Sequence, residues 1–220
     1  MEIEQFGING CPYIGIFSVV TEGYALLPPG SDANTVKFFE KFFNVKVVKT
    51  TIANSSLLGC FGLALGDKIV LPELAEKYEI KQLENSCMKV KQLTKATALG
   101  NLAAVNSRYG IASKLLEKQA VNELQKFFSV DFESANIAGT EATGSCIRVT
   151  EKGFIVNPNV DEKQFSKLKK MFGVQGMATT ANYGDCFVAN SVLANRNGAL
   201  VGFDTSGHEL AHIDEGLRGD

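Results

Sequence analysis

The chain has 220 residues, 45% of them hydrophobic, and a formal net charge of −2. This composition can bury a core, which excludes a disordered chain, and it is too acidic for a protein that lives by gripping phosphate backbones. The opening MEIEQF lacks a secretory pattern and the most apolar stretch, LLGCFGLALG, is too short to cross a bilayer. Cys11, Cys60, Cys87, Cys146 and Cys186 are dispersed without a C-x-x-C, so a soluble, cytoplasmic protein with reduced thiols is expected.

The first patterned stretch is IGIFSVVTEGYALLP from Ile14. It reads as a small-residue start, an apolar strand, a polar turn with glycine and a second apolar strand. The same series returns as LGCFGLALGDKIVLP from Leu58, LGNLAAVNSRYGIAS from Leu99 and TGSCIRVTEKGFIVNP from Thr143, and more weakly as VANSVLANRNGALVG from Val188. The turn glycines Gly23, Gly66, Gly110, Gly153 and Gly198 are 43, 44, 43 and 45 residues apart. Each is expected to supply the positive φ of a tight hairpin turn.

Between the hairpins lie amphipathic helical stretches. Val36, Phe39 and Phe43, then Ala120, Leu124 and Phe127, then Phe165, Leu168, Met171 and Phe172 fall at helical spacing. KFFNV, KFFSV and KMFGV close three of them; in the second copy a helix is expected to start at Pro72. A third strand follows each helix. The reading is an α/β repeat protein of strand-strand-helix-strand units, a five-fold pseudosymmetric propeller around a central axis. It forms one domain over residues 1–220, with copies at about 10–54, 55–96, 97–140, 141–182 and 183–217. A unit of this kind cannot bury its apolar faces alone, and closing the ring removes exposed strand edges.

Near the C-terminus, HELAH holds the only two histidines, His208 and His212, in the H-E-x-x-H spelling of zinc proteases. That chemistry needs a helix, a third ligand and an open position. The repeat assigns ELAHIDEGL to the third-strand slot, with TSGH as a turn replacing the helix. A strand would hold the two imidazoles about 13 Å apart, too far to share a metal. On a helix, Ser206 and Glu209 would form a capping box, and Asp214, Glu215 or Asp220 would have to supply the third ligand. No metal and no cofactor is expected.

Four stretches, NGCPYIGIF, ATALGNLAAVN, ATGSCIRVTEKGFIVNP and GFDTSGHELAHIDEGL, resemble the translation initiation factor 6 family of archaea and eukaryotes, in its archaeal form, within the pentein fold. The resemblance implies a monomeric, non-enzymatic factor that binds the large ribosomal subunit, chiefly through a ribosomal protein on its intersubunit face. Any rRNA contact is minor, and a role in large-subunit assembly is an open extension. Bound there, it would block joining with the small subunit. Carried over position by position, the contact residues are Gly15, Gly59, Cys60, Gly100, Asn101, Gly144 and Ser145. The glycines admit a second reading, tight strand entry around a narrow axis.

Two rivals compete. Other penteins modify amidines with a cysteine nucleophile; here Cys186 would be the nucleophile and His208 or His212 its base. An RNA binder would use Lys89, Lys91 and Lys95 with Lys163, Lys167, Lys169 and Lys170, but aromatic residues are not interleaved among them.

Overall fold

The computed structural model describes residues 1–219. The chain opens with β1 (Glu2–Phe6) and then repeats one series. A one-turn helix α1 (Ile14–Phe17) leads into β2 (Val19–Val20), β3 (Tyr24–Leu27), α2 (Ala33–Phe43) and β4 (Lys46–Lys49). Next come α3 (Leu58–Phe61), β5 (Leu63–Leu65), β6 (Lys68–Pro72), α4 (Lys77–Asn85) and β7 (Lys89–Leu93). The third series is α5 (Leu99–Leu102), β8 (Ala103–Val105), β9 (Tyr109–Ala112), α6 (Lys118–Phe128) and β10 (Asp131–Ser134). In the fourth, a turn over 143–146 replaces the one-turn helix before β11 (Ile147–Val149), β12 (Gly153–Val156), α7 (Glu162–Phe172) and β13 (Gln175–Ala178). The last has a 3-10 turn (Val188–Asn190), β14 (Val192–Ala194), β15 (Gly198–Gly202) and α8 (Gly207–Arg218).

Each series builds a three-stranded sheet whose middle strand is antiparallel to the first and parallel to the third. The first strands β2, β5, β8, β11 and β14 each approach the next, and β14 returns to β2, so they form the innermost ring.

The fifth sheet corrects the reading of the C-terminus. Its third strand is β1, paired parallel to β15 from Glu2↔Gly198 to Phe6↔Gly202. The N-terminal residues fill the slot assigned to ELAHIDEGL, and that segment lies in helix α8. The capping box closes its start, with the Ser206 side chain accepting from Glu209 N–H and the Glu209 carboxylate accepting from Ser206 N–H. The α-amino group of Met1 pairs with Asp214 of α8 at 3.2 Å, tying the two ends together. The second-copy helix also starts later than expected. Pro72 ends β6, and Glu76 with Glu79 caps α4.

The hydrophobic cores lie between neighbouring sheets. Phe39 and Phe43 of α2 pack with Ala25 and Leu27 of their own sheet and with Leu193 and Leu200 of the fifth. Leu83 of α4 joins Ile69 and Leu71 to Val19 and Leu26 of the first sheet. Leu168 and Phe172 of α7 reach Ala104 and Ile111 of the third, and Ile213 and Leu217 of α8 reach Ile155 of the fourth. Each helix thus covers the seam to the preceding sheet, so the units stabilise one another by burial.

The last residues of KFFN, KFFS and KMFG are helix caps. Asn44, Ser129 and Gly173 stand at φ of 52°, 64° and 65°, the left-handed conformation that ends a helix. The hairpin glycines behave differently. Of the five, only Gly66 has positive φ, at 58°. At the other hairpins Thr21, Asn106, Thr150 and Asn195 hold the turn by accepting backbone N–H groups two or three residues on. Gly110, Gly153 and Gly198 instead leave room for Phe132, the Gly216 carbonyl and Phe42.

Candidate functional site: the axial end of the ring

The end of the ring that carries α1, α3, α5, the turn at 143–146 and the turn at 188–190 gathers the residues the sequence pointed to. Gly15, Gly59, Gly100 and Gly144 each sit against the backbone of a neighbouring unit. A Cβ on Gly59 would stand 1.8 Å from the Gly15 carbonyl oxygen; on Gly144, 2.2 Å from that of Gly100; on Gly15, 2.0 Å from that of Ala189. Backbone hydrogen bonds continue the circle, with Gly144 N–H donating to Asn101 O at 2.8 Å and Ala189 N–H to Ser145 O at 3.0 Å. The glycines are therefore required by the ring itself.

The next position in each turn is held by Ile16, Cys60, Asn101, Ser145 and Asn190. Ser145 is buried and its hydroxyl donates to Asn101 Oδ1 at 3.1 Å. Burial pushes the Cys60 thiol up, and a hydrogen bond with the Asn101 side chain partly offsets this. Cys60, Asn101 and Ser145 thus form one polar arc. Ile16 and Asn190 complete the circle; aligning the five copies on their glycine or alanine was the signal that could have found them.

Two buried carboxylates fix the connectors between units. Glu209 accepts from the Thr180 hydroxyl at 2.6 Å, Gly184 N–H at 2.9 Å and Ser206 N–H at 2.7 Å. Burial pushes its carboxyl up, but these bonds outweigh it and hold the group down at about 2. Glu79 does the same for the connector at Ala53 and Asn54. The connector held by Glu209 presents Tyr183, 85% exposed and at φ 64°. Nearby, Asn182 Nδ2 donates to the Pro12 carbonyl at 3.0 Å. Tyr13, Tyr183 and Phe203, all exposed, flank this seam where the chain's two ends meet.

Inside the ring is a cavity of about 70 Å³, lined by Ser18, Asn101, Ser145, Arg148 and Asn190 among others. Arg148 donates from Nε to Val192 O and from Nη2 to Ala189 O, both at 2.8 Å. Sequence reasoning missed this residue. The signal was available, because the matching positions of the other copies are Val19, Leu63, Ala104 and Leu193.

The remaining candidates do not converge. His208 and His212 lie one turn apart on α8, their rings tilted at 60° with centroids 4.2 Å apart, so the strand objection to a shared metal falls. The third ligand is the obstacle. Among the described residues no group of three His, Cys, Asp or Glu is placed to hold a metal, and Asp220 lies outside them. Cys186 lies just before the turn at 188–190, away from the axial cavity lining. Among the described residues no hydrogen bond joins Cys186 to either histidine. Four of the lysines face carboxylates: Lys89 meets Asp67 at 2.7 Å, Lys91 meets Glu123 at 2.8 Å, Lys95 meets Glu117 at 3.6 Å, and Lys167 pairs with Glu133. No helix among the described residues is long and apolar enough to cross a membrane.

Among solved structures, the fold is similar to the N-terminal domain of ArgZ caught with a covalent reaction intermediate, at TM-score 0.50 and 16% identity over 76% of this chain and 71% of that one. It is also similar to DDAH from Pseudomonas aeruginosa bound to citrulline, at TM-score 0.44 and 13% identity over 94% and 73%. The arrangement is that of the pentein fold. Among curated proteins, translation initiation factor 6 of Staphylothermus marinus is 31% identical over 100% of this chain and 99% of its own length. That of Methanocaldococcus jannaschii is 33% identical over 95% of both. The profile of the eIF-6 family matches residues 3–216, and the chain belongs to the eIF-6 family of translation initiation factors.

Proposed function

We propose that this protein binds the large ribosomal subunit on the face that meets the small subunit and blocks their joining by occupying it, without making or breaking a bond. Family membership over nearly the whole chain is the observation that carries this reading. It acts as a cytoplasmic monomer, and its principal contact is a ribosomal protein. Net charge of −2 and the pairing of Lys89, Lys91, Lys95 and Lys167 with carboxylates favour a protein contact over an RNA one.

The contact face proposed is the axial end. The arc Cys60, Asn101 and Ser145 lies there on a rigid backbone circle, with Gly15, Gly59, Gly100 and Gly144 holding the circle closed. Tyr13, Tyr183 and Phe203 supply exposed aromatic surface at the seam, the residue type that anchors interfaces. The catalytic alternative lacks support because, among the described residues, no hydrogen bond joins Cys186 to His208 or His212.

The test is sedimentation of purified large and small subunits with and without the protein. Co-sedimentation with the large subunit and loss of joined ribosomes is expected, and Asn101→Arg should weaken both. A protein that stays at the top of the gradient while joining proceeds would overturn the reading.

A further inference from the structure

We propose that the axial cavity is a binding site for a small inorganic anion of halide size, with Arg148 as its fixed positive charge. Nothing in this rests on ribosome binding.

Arg148 breaks a column that is otherwise apolar. Arg148 is half-buried, and a cation partly withdrawn from water is costly unless a charge partner is present. Burial lowers the guanidinium only to about 10, so it stays charged at neutral pH. Its two hydrogen bonds go to backbone carbonyls, which are dipoles and leave the charge itself unmatched. Among the described residues no carboxylate lies within 4.0 Å of it, and the cavity lining includes no Asp or Glu. An acidic pair, Glu22 and Glu151, lines a separate space of about 40 Å³ at the hairpin end. Glu22 is engaged with Arg196, and Glu151 with Ser107.

A second observation points to the same place. Ser18 lines this cavity, is 1% exposed, and its Oγ has no hydrogen-bond partner among the described residues. A buried hydroxyl left unpaired is costly. An anion in the cavity would accept from Ser18 Oγ–H and from the guanidinium N–H groups not used by the carbonyls. Water could satisfy the hydroxyl but would not neutralise the charge. The volume sets the class. The 70 Å³ is space open to the centres of water-sized molecules, of which one water needs about 10–15 Å³, so the cavity admits a small ion with a few waters and excludes a nucleotide or a peptide. Because Arg148 joins the fourth sheet to the Ala189 and Val192 carbonyls of the fifth, occupancy should stiffen that seam.

The test titrates the whole protein with sodium bromide against sodium gluconate, an anion too large for the cavity, at constant ionic strength. Bromide should raise Tm along a saturating curve by about 3–6 °C. Crystals grown in bromide should show an anomalous peak beside the free guanidinium nitrogen. Arg148→Leu, which installs the side chain found at the matching position of the fifth copy, should abolish the bromide dependence. If that variant does not fold, the anomalous peak in the unaltered protein decides. Equal Tm values in bromide and gluconate, or a cavity without a peak, would overturn the proposal. So would an Arg148→Leu protein that still responds to bromide.

Discussion

The Cα of Gly100 lies so close to the carbonyl oxygen of Gly59 that a Cβ there would stand 1.9 Å from it. Both groups are backbone in a closed circle, so neither side can yield without moving the next unit. Gly100→Ala is therefore expected to cost about 3 kcal/mol or more. Asn101→Ala, one residue on, should cost about 1 kcal/mol, the worth of its side-chain hydrogen bonds. Urea unfolding of the two variants reads the difference, and equal losses would contradict it.

Glu209 carries a pH dependence. Its folded carboxyl is held down at about 2 against an ordinary value of 4.5. The ionised form is what the connector binds, so its stabilisation is complete above pH 4.5 and disappears as pH falls toward 2. Glu209→Gln should be less stable than the parent by about 2–3 kcal/mol at pH 7. The gap should narrow steadily below pH 4.5. A gap that is constant with pH would assign the loss to packing.

Phe6 anchors the closing strand. It stacks on Phe38 at 5.2 Å and meets Phe39 edge-on at 5.5 Å. Phe6→Ala is expected to lower stability by about 2 kcal/mol, since the residue is half-buried. Hydrogen exchange should show the loss concentrated in β1 and β15.

The histidine pair should be inert toward zinc. His208→Asn and His212→Asn should each change stability by less than about 0.5 kcal/mol, and equilibrium dialysis should find no stoichiometric zinc on the parent. Tight one-to-one uptake lost in either variant would revive the metal reading.

Tyr183 tests the aromatic edge of the proposed face. Tyr183→Ala should weaken large-subunit binding about 10-fold, the loss of an interface residue worth a little over 1 kcal/mol. Unfolding should be nearly unchanged, because the ring is 85% exposed.

Much of the fold was legible because hairpins and helices are local. The apolar run from Ile69 to Leu71, or the helical spacing of Phe39 and Phe43, depends on neighbours a few residues away. What escaped was long-range. Nothing near residue 208 announces that the third strand of its sheet is Glu2–Phe6, so the repeat alone puts ELAHIDEGL in the vacant slot. The turn glycines were legible as a recurrence but not as a cause: Gly66 needs its backbone angle, while Gly153 needs the absence of a Cβ beside Gly216. At the axial end, Gly59 and Gly100 stood out in the sequence, and the carbonyls they face did not. Arg148 was hidden in plain view, its meaning visible only once the copies are set side by side around a cavity.

The pairing of β1 with β15 also governs when the molecule can finish folding. The first strand synthesised waits for a partner that ends at Gly202, and contacts so distant in sequence are slow to form because loop closure precedes their reward. Until then the edge of β1 is unpaired, a form open to mispairing with another copy. The fifth sheet, and with it the ring, cannot close before β15 is available to β1.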